Sequence, residues 1–178
     1  MSAKRSLEII AEPGEPTIVM KRVFDAPARF VFDAHTKPEH LKRWWGGCDA
    51  MTMLVCDVDL RVGGAYRFVV RMPDSPEMVF RGVYREITPP LRLVHTQVFE
   101  MFPDHEALIT ISLEEHEGKT TLTSTTLHGS VAARDGHLAS GMATGAAQTL
   151  DRLEALLDSM GSTALRPREG GSSDHLAE

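Results

Sequence analysis

The chain has 178 residues, 42% of them hydrophobic and 25% charged, and 19 Lys and Arg against 25 Asp and Glu give a formal net charge of −6. That length suits one domain with a substantial core. The basic residues are scattered and Lys42–Arg43 is a single turn of a solvated helix face, so the clustered cationic surface that a nucleic acid requires is missing from the sequence. No apolar run approaches the roughly 20 residues that cross a bilayer.

From the N-terminus, MSAKRSLEII leads into acidic residues and prolines rather than an apolar core with a cleavage site, so no signal peptide is expected and the protein is expected to be cytoplasmic. Residues 1–16, with Pro13, Gly14 and Pro16, are expected to form a loose arm. TIVMKRVF at 17–24 reads as the first strand, with Ile18, Met20 and Arg22 on one face. Two short helices follow over 28–35 and 38–45. Pro27 stands where the first begins, a position whose missing N–H would have no partner anyway. The first helix breaks before Pro38, and the second ends in Trp44–Trp45, closed by Gly46–Gly47.

A meander occupies 51–58, 64–72, 78–88, 91–99, 106–115 and 119–128. Each segment is β-rich and bounded by turn residues such as Gly63–Gly64, Pro73–Asp74, Pro89–Pro90 and Glu117–Gly118. Connections this short make neighbouring strands antiparallel. The clearest period comes last: Leu138, Met142, Ala146, Leu150, Leu153 and Leu157 keep one apolar stripe facing one way over about five turns. Gly161 is placed to end this helix, and the polar, Gly/Ser-rich residues 162–178 are expected to be a disordered tail. The fold class expected is α+β, a curved antiparallel sheet wrapped around a long C-terminal helix, with two short helices after the first strand and the domain spanning 17–160.

Five segments carry a family resemblance: FDAPARFVFDAHTKPEHLKRWWG (24–46), DLRVGGAYRF (59–68), FRGVYREITPPLRLVHT (80–96), LEEHEGKTTLT (113–123) and GMATGAAQTLDRLEALL (141–157). The chain resembles the SRPBCC (START-like) superfamily, in the branch named for the C-terminal domain of the heat-shock-protein-90 ATPase activator, from about Thr17 to Met160. The resemblance implies a helix-grip fold with a cavity between sheet and helix. It also implies that Ala146 and His35 stand where relatives often carry Trp or, for His35, another large apolar residue.

The middle of the helical stripe is small, with Gly141, Gly145, Ala146 and Ala147 within two turns. Either the sheet closes in on it or an apolar cavity remains, and the cavity is the reading preferred. Its walls are expected from the inward strand faces: Tyr66, Phe68 and Val70; Phe80, Gly82 and Tyr84, with Gly82 leaving room; and Leu93, His95, Gln97 and Phe99, a row whose register Pro89–Pro90 leaves open. On the last strand Leu122, Ser124, Thr126 and His128 add hydroxyls and an imidazole. A largely apolar pocket with a few polar groups has the character of a small-molecule site. The contacts expected are therefore Trp44, Tyr66, Phe68, Phe80, Tyr84, His95, Phe99, Met142 and Ala146, with His95, His128, Ser124 and Thr126 orienting a carbonyl or hydroxyl.

Among the other histidines, His35 either faces the pocket mouth or is half-exposed at its helix end, while His40, His105, His116 and His137 are expected to be solvated. No HxxxH or HExxH pair is present, so no metal is expected. There is no GxSxG elbow, and Gly63–Gly64 precedes a strand, which makes it a turn and not a phosphate cradle. Cys48 and Cys56, eight apart without histidine partners at ligand spacing, are expected to be free thiols.

The function expected is binding of a small, mainly apolar molecule, with no cofactor, nucleic acid or membrane as partner and a homodimer left open. One alternative, implied by superfamily relatives, is a polyketide cyclase- or dehydratase-like enzyme with His95 or His128 as a weak candidate for a catalytic base. The other is a co-chaperone-like interaction module. The family's namesake works with an additional N-terminal domain, and with about 16 residues before the first strand that domain is expected to be absent here.

Overall fold

The computed structural model describes residues 5–165. Its strands are β1 (Glu8–Ile10), β2 (Thr17–Phe24), β3 (Thr52–Val58), β4 (Ala65–Arg71), β5 (Met78–Thr88), β6 (Arg92–Phe99), β7 (Glu106–His116) and β8 (Lys119–Leu127). The helices are α1 (Ala28–Thr36), α2 (Pro38–Trp44), α3 (Val131–Ala139) and α4 (Met142–Ala164). All eight strands form one antiparallel sheet in the order β1-β2-β8-β7-β6-β5-β4-β3. Hairpin connections from β3 to β8 dictate that order, and β2 then pairs with β8 because α1 and α2 carry the chain from one edge region to the other. The result is the open, curved sheet with a long C-terminal helix that the strand and helix patterns predict.

The core lies where α1, α2 and the second half of α4 meet the sheet. Leu150, Leu153, Leu156 and Leu157 pack into one cluster with Phe24, Val31, Trp44 and Leu122, and burial of a leucine contributes about 1.5–3 kcal/mol. An electrostatic clamp reinforces this end. The Arg22 side chain is only 2% exposed and bonds the carboxylates of Asp151 and Glu154, each at 2.8 Å. Arg22 thereby fastens β2 to α4.

Three sequence expectations need correction. The N-terminal arm is not loose throughout: Glu8–Ile10 forms β1, with Ile9 opposite Met20 on β2, because the outer edge of β2 offers unpaired backbone groups that a short strand satisfies. The long helix is also broken. Gly141, at φ 80°, adopts the left-handed conformation that stops α3 and serves as the N-cap of α4, a turn at little steric cost for glycine. Leu138 therefore belongs to α3, and the stripe on α4 starts at Met142. Gly161 does not end α4, which continues helically to Ala164. Residues 162–164 of the tail expected to be disordered are therefore helical, and its part from 166 onward lies outside the described residues.

Candidate functional site

Alternation along the strands turns one side chain in two toward α4, and the small residues on that helix leave the space between the two surfaces unfilled. A cavity of about 430 Å³ remains between them. From β4 come Tyr66, Phe68 and Val70, and from β5 Met78, Phe80 and Tyr84. β6 adds Leu93, His95 and Gln97, which settles the register of that row. The far wall is Ile109, Ile111, Leu122, Ser124 and Thr126 with Met20. Opposite them stand Met142, Gly145, Ala146, Thr149 and Leu150 of α4. A Cβ added at Gly145 would meet nothing within 4 Å, so the helix is not pressed onto the sheet there.

The two short helices close one end. Trp44 is buried and donates its indole N–H to the Ala34 carbonyl at 2.8 Å, which locks α2 against α1. Its ring meets His35 edge-on with centroids 4.8 Å apart. Trp45 points elsewhere, packing edge-on against Phe68 at 4.9 Å and Phe80 at 5.0 Å. Both tryptophans line the cavity.

Gly82 positions the polar centre of the site. A Cβ there would overlap the Thr96 carbonyl and crowd the Tyr66 ring. Without one, Tyr66 lies across β5 and donates its hydroxyl to the Thr96 carbonyl at 2.7 Å. Nδ1 of His95 is 3.1 Å from the same carbonyl and 3.1 Å from the Tyr66 hydroxyl oxygen. The Tyr66 proton is given to Thr96 and a carbonyl only accepts, so Nδ1 of His95 carries the proton. His35 follows the same logic, with Nδ1 donating to the Val31 carbonyl at 2.7 Å.

Burial lowers the pKa of His35 to about 4, opposed by the Val31 bond and helped by repulsion from His95. Burial likewise lowers that of His95, opposed by its bond to Thr96. Both rings are neutral at physiological pH. Burial also raises the Tyr66 and Tyr84 hydroxyls well above the ordinary phenol range. The partly exposed surface of His35 is cavity surface.

Of the residues expected at the site, the fold brings Trp44, Tyr66, Phe68, Phe80, Tyr84, His95, Ser124, Thr126, Met142 and Ala146 around this space. Phe99 and His128 are not among the lining residues. Phe99 pairs with Phe80 across β5 and β6 and stacks on its ring at 4.6 Å, on the same face of the sheet but outside the lining. His128 falls one residue past the end of β8, where alternation no longer directs it. Its amide N–H donates to Pro16, and its Nε2 is 3.3 Å from Nδ1 of His137. His137, expected to be solvated, is exposed yet reaches the cavity rim from α3.

Met20, Met51 and Met78 were not foreseen. Met20 shares the inward face of β2 and was open to detection by alternation, whereas Met51 comes from a loop with no periodic signal.

Nothing in this arrangement resembles a metal or thiol centre. Among the described residues no group of three metal-ligating side chains converges. Burial pushes the Cys56 thiol up to about 11, which leaves it protonated and unreactive.

A sheet gripping a C-terminal helix over an apolar hollow defines the helix-grip class of SRPBCC-like proteins. Residues 25–158 match the family model of the Activator of Hsp90 ATPase homolog 1-like protein, and the chain belongs to that family. Solved structures agree. A protein from Rhodobacter sphaeroides is 27% identical with a TM-score of 0.78, the match covering 87% of this chain and 99% of the other. One from Nitrosomonas europaea is 27% identical at a TM-score of 0.75, over 85% and 99% of the two chains. One from Mycobacterium smegmatis, at 23% identity and a TM-score of 0.77 over 87% and 99%, shares the fold. No curated protein matches the chain. No helix among the described residues is long and apolar enough to cross a membrane.

Proposed function

We propose that the protein binds a small, mainly apolar molecule between the sheet and α4, in the cytoplasm. The observation that carries this reading is a 430 Å³ cavity with no Lys, Arg, Asp or Glu side chain in its lining, a volume within the usual range for small-molecule sites. Binding would be driven by removing apolar ligand surface from water, at roughly 25 cal/mol per Å². Native mass spectrometry of the freshly purified protein tests it: a reproducible non-covalent adduct that is lost on denaturation is the expected result. A protein free of adduct whose melting temperature no apolar compound raises would refute it.

A second reading, a cyclase- or dehydratase-like enzyme, is favoured by one observation. His95 has its Nδ1 proton committed to a backbone carbonyl, which leaves Nε2 as a base toward the cavity. His128 drops out of that reading because it is not in the lining. Turnover of a cyclisable polyketone that disappears in His95→Gln, with the fold intact by circular dichroism, is the supporting result. Unchanged turnover in that variant would eliminate it.

A further inference from the structure

The two cavity imidazoles share an arrangement with consequences for what is bound. His35 and His95 each have Nδ1 committed to a carbonyl, Val31 at 2.7 Å and Thr96 at 3.1 Å. Each therefore presents a bare Nε2, an acceptor and nothing else. Neither Nε2 has a protein partner among the described residues. Neither is sealed off either, because the one buried side-chain polar atom without a partner is Nε of Arg22. Both rings line the cavity, so both lone pairs open onto it.

From this geometry we infer that the ligand is a neutral apolar molecule bearing a hydroxyl or N–H donor, received by Nε2 of His95 or Nε2 of His35, and that the cavity rejects carboxylates of the same shape. The inference rests on the cavity-binding reading and adds the ligand's chemical class. A pure hydrocarbon would cover two acceptors without bonding them, which forfeits their hydration. A carboxylate would meet two lone pairs and only neutral donors such as the Tyr84 hydroxyl, with no cation in the lining to offset the hydration it loses. The surroundings that keep the rings uncharged deny the anion a protonated partner. A hydroxyl bonds one of the two acceptors and carries no charge to desolvate. The buried Tyr84 hydroxyl beside His95, with ring centroids 6.1 Å apart, can donate back to the same ligand oxygen.

One set of probes shares a skeleton and varies only the polar group: naphthalene, 2-naphthol and 2-naphthoate at neutral pH, titrated into the full chain by calorimetry. The naphthol is expected to bind about tenfold more tightly than either of the others, the effect of one to two net hydrogen bonds. Of His35→Leu and His95→Leu, at least one should reduce that preference severalfold while naphthalene affinity holds or rises, and an unchanged preference in both overturns the inference. Equal affinity for all three, or a preference for naphthoate, overturns the inference and leaves cavity binding standing. Failure of all three to bind at their solubility limits overturns cavity binding and the inference together.

Nitrogen NMR of the imidazoles provides a check that needs neither ligand nor variant. Both rings should show a protonated Nδ1 and a pyridine-like Nε2, the latter shifting on addition of naphthol. A protonated Nε2 on either ring overturns the assignment even if the variants fail to fold.

Discussion

Replacing Ala146 with tryptophan tests whether the space beside α4 is a true void. Ala146 lies in the loosely packed half of the helix and lines a cavity of about 430 Å³. A tryptophan side chain buries roughly 150–250 Å². Taking about 150 Å² as the gain over alanine, transfer at about 25 cal/mol per Å² contributes at most about 4 kcal/mol. Loss of side-chain freedom costs about 1 kcal/mol, and part of the ring stays wet in a cavity open on one side. A net gain of about 1–2 kcal/mol remains, which for a domain of this size raises Tm by about 3–6 °C. Ligand affinity should fall at least tenfold in the same variant, because the indole occupies the ligand's place. Thermal melting followed by circular dichroism, together with the naphthol titration, measures both effects. A Tm lowered by several degrees would indicate overpacking at its usual cost of about 1–3 kcal/mol. It would refute the void and remove Ala146 and Met142 from the site.

Three further predictions use other parts of the molecule. His35 titrates near 4 in the folded state against 6.5 when unfolded, so the unfolded chain takes up the proton first. The stability this contributes is complete above pH 6.5 and is lost as pH falls from 6.5 to about 4, by up to about 3 kcal/mol. Urea midpoints across that range should decline less steeply in His35→Leu, and an unchanged slope would contradict the assignment. Gly82→Ala should destabilise by about 3 kcal/mol or more, because the obstacle is the Thr96 backbone and not a movable side-chain tip; a neutral urea midpoint would show the close approach to be wrong. Removing both Asp151 and Glu154 should cost about 3–5 kcal/mol by stranding the buried Arg22. Arg22→Met should cost less, since the two carboxylates are 31% and 28% exposed and can rehydrate, and the reverse order in chemical denaturation would disprove the clamp.

Elements set by local chemistry were readable before any coordinates. Pro27 and Pro38 mark α1 and α2, and the turn residues delimit β3 to β8 to within a residue or two. Alternation correctly turned Tyr66, Phe68 and Val70 inward, along with Phe80 and Tyr84. What failed depended on contacts between distant segments or on the last residue of an element. β1 forms only because β2 has a free edge. His128 falls outside the cavity because β8 stops at Leu127. Phe99, the last residue of β6, pairs with Phe80 on the same face and lies outside the cavity's lining. The glycine that punctuates the C-terminal helix proved to be Gly141 and not Gly161; the apolar period runs through Gly141 without marking the break. The shared tautomer of His35 and His95 follows from two carbonyls, Val31 and Thr96, and the position of the second depends on the packing of Tyr66 across Gly82.

The helix α4 is one continuous rod with two unequal halves. Its C-terminal half holds Leu150, Leu153, Leu156 and Leu157, all 7% exposed or less, together with the acids that grip Arg22. Its first two turns, from Met142 to Ala147, contain no fully buried residue and begin at a glycine hinge. Amide hydrogens in the second half should therefore exchange only when the whole domain unfolds, while those in the first turns exchange through local fraying at a small fraction of that free energy. Fraying of that helix end would widen the cavity's open side, with the leucine core intact throughout. Under the proposed binding reading, the winding of about two turns of helix would set how readily a ligand enters and leaves, without changing the global stability of the protein.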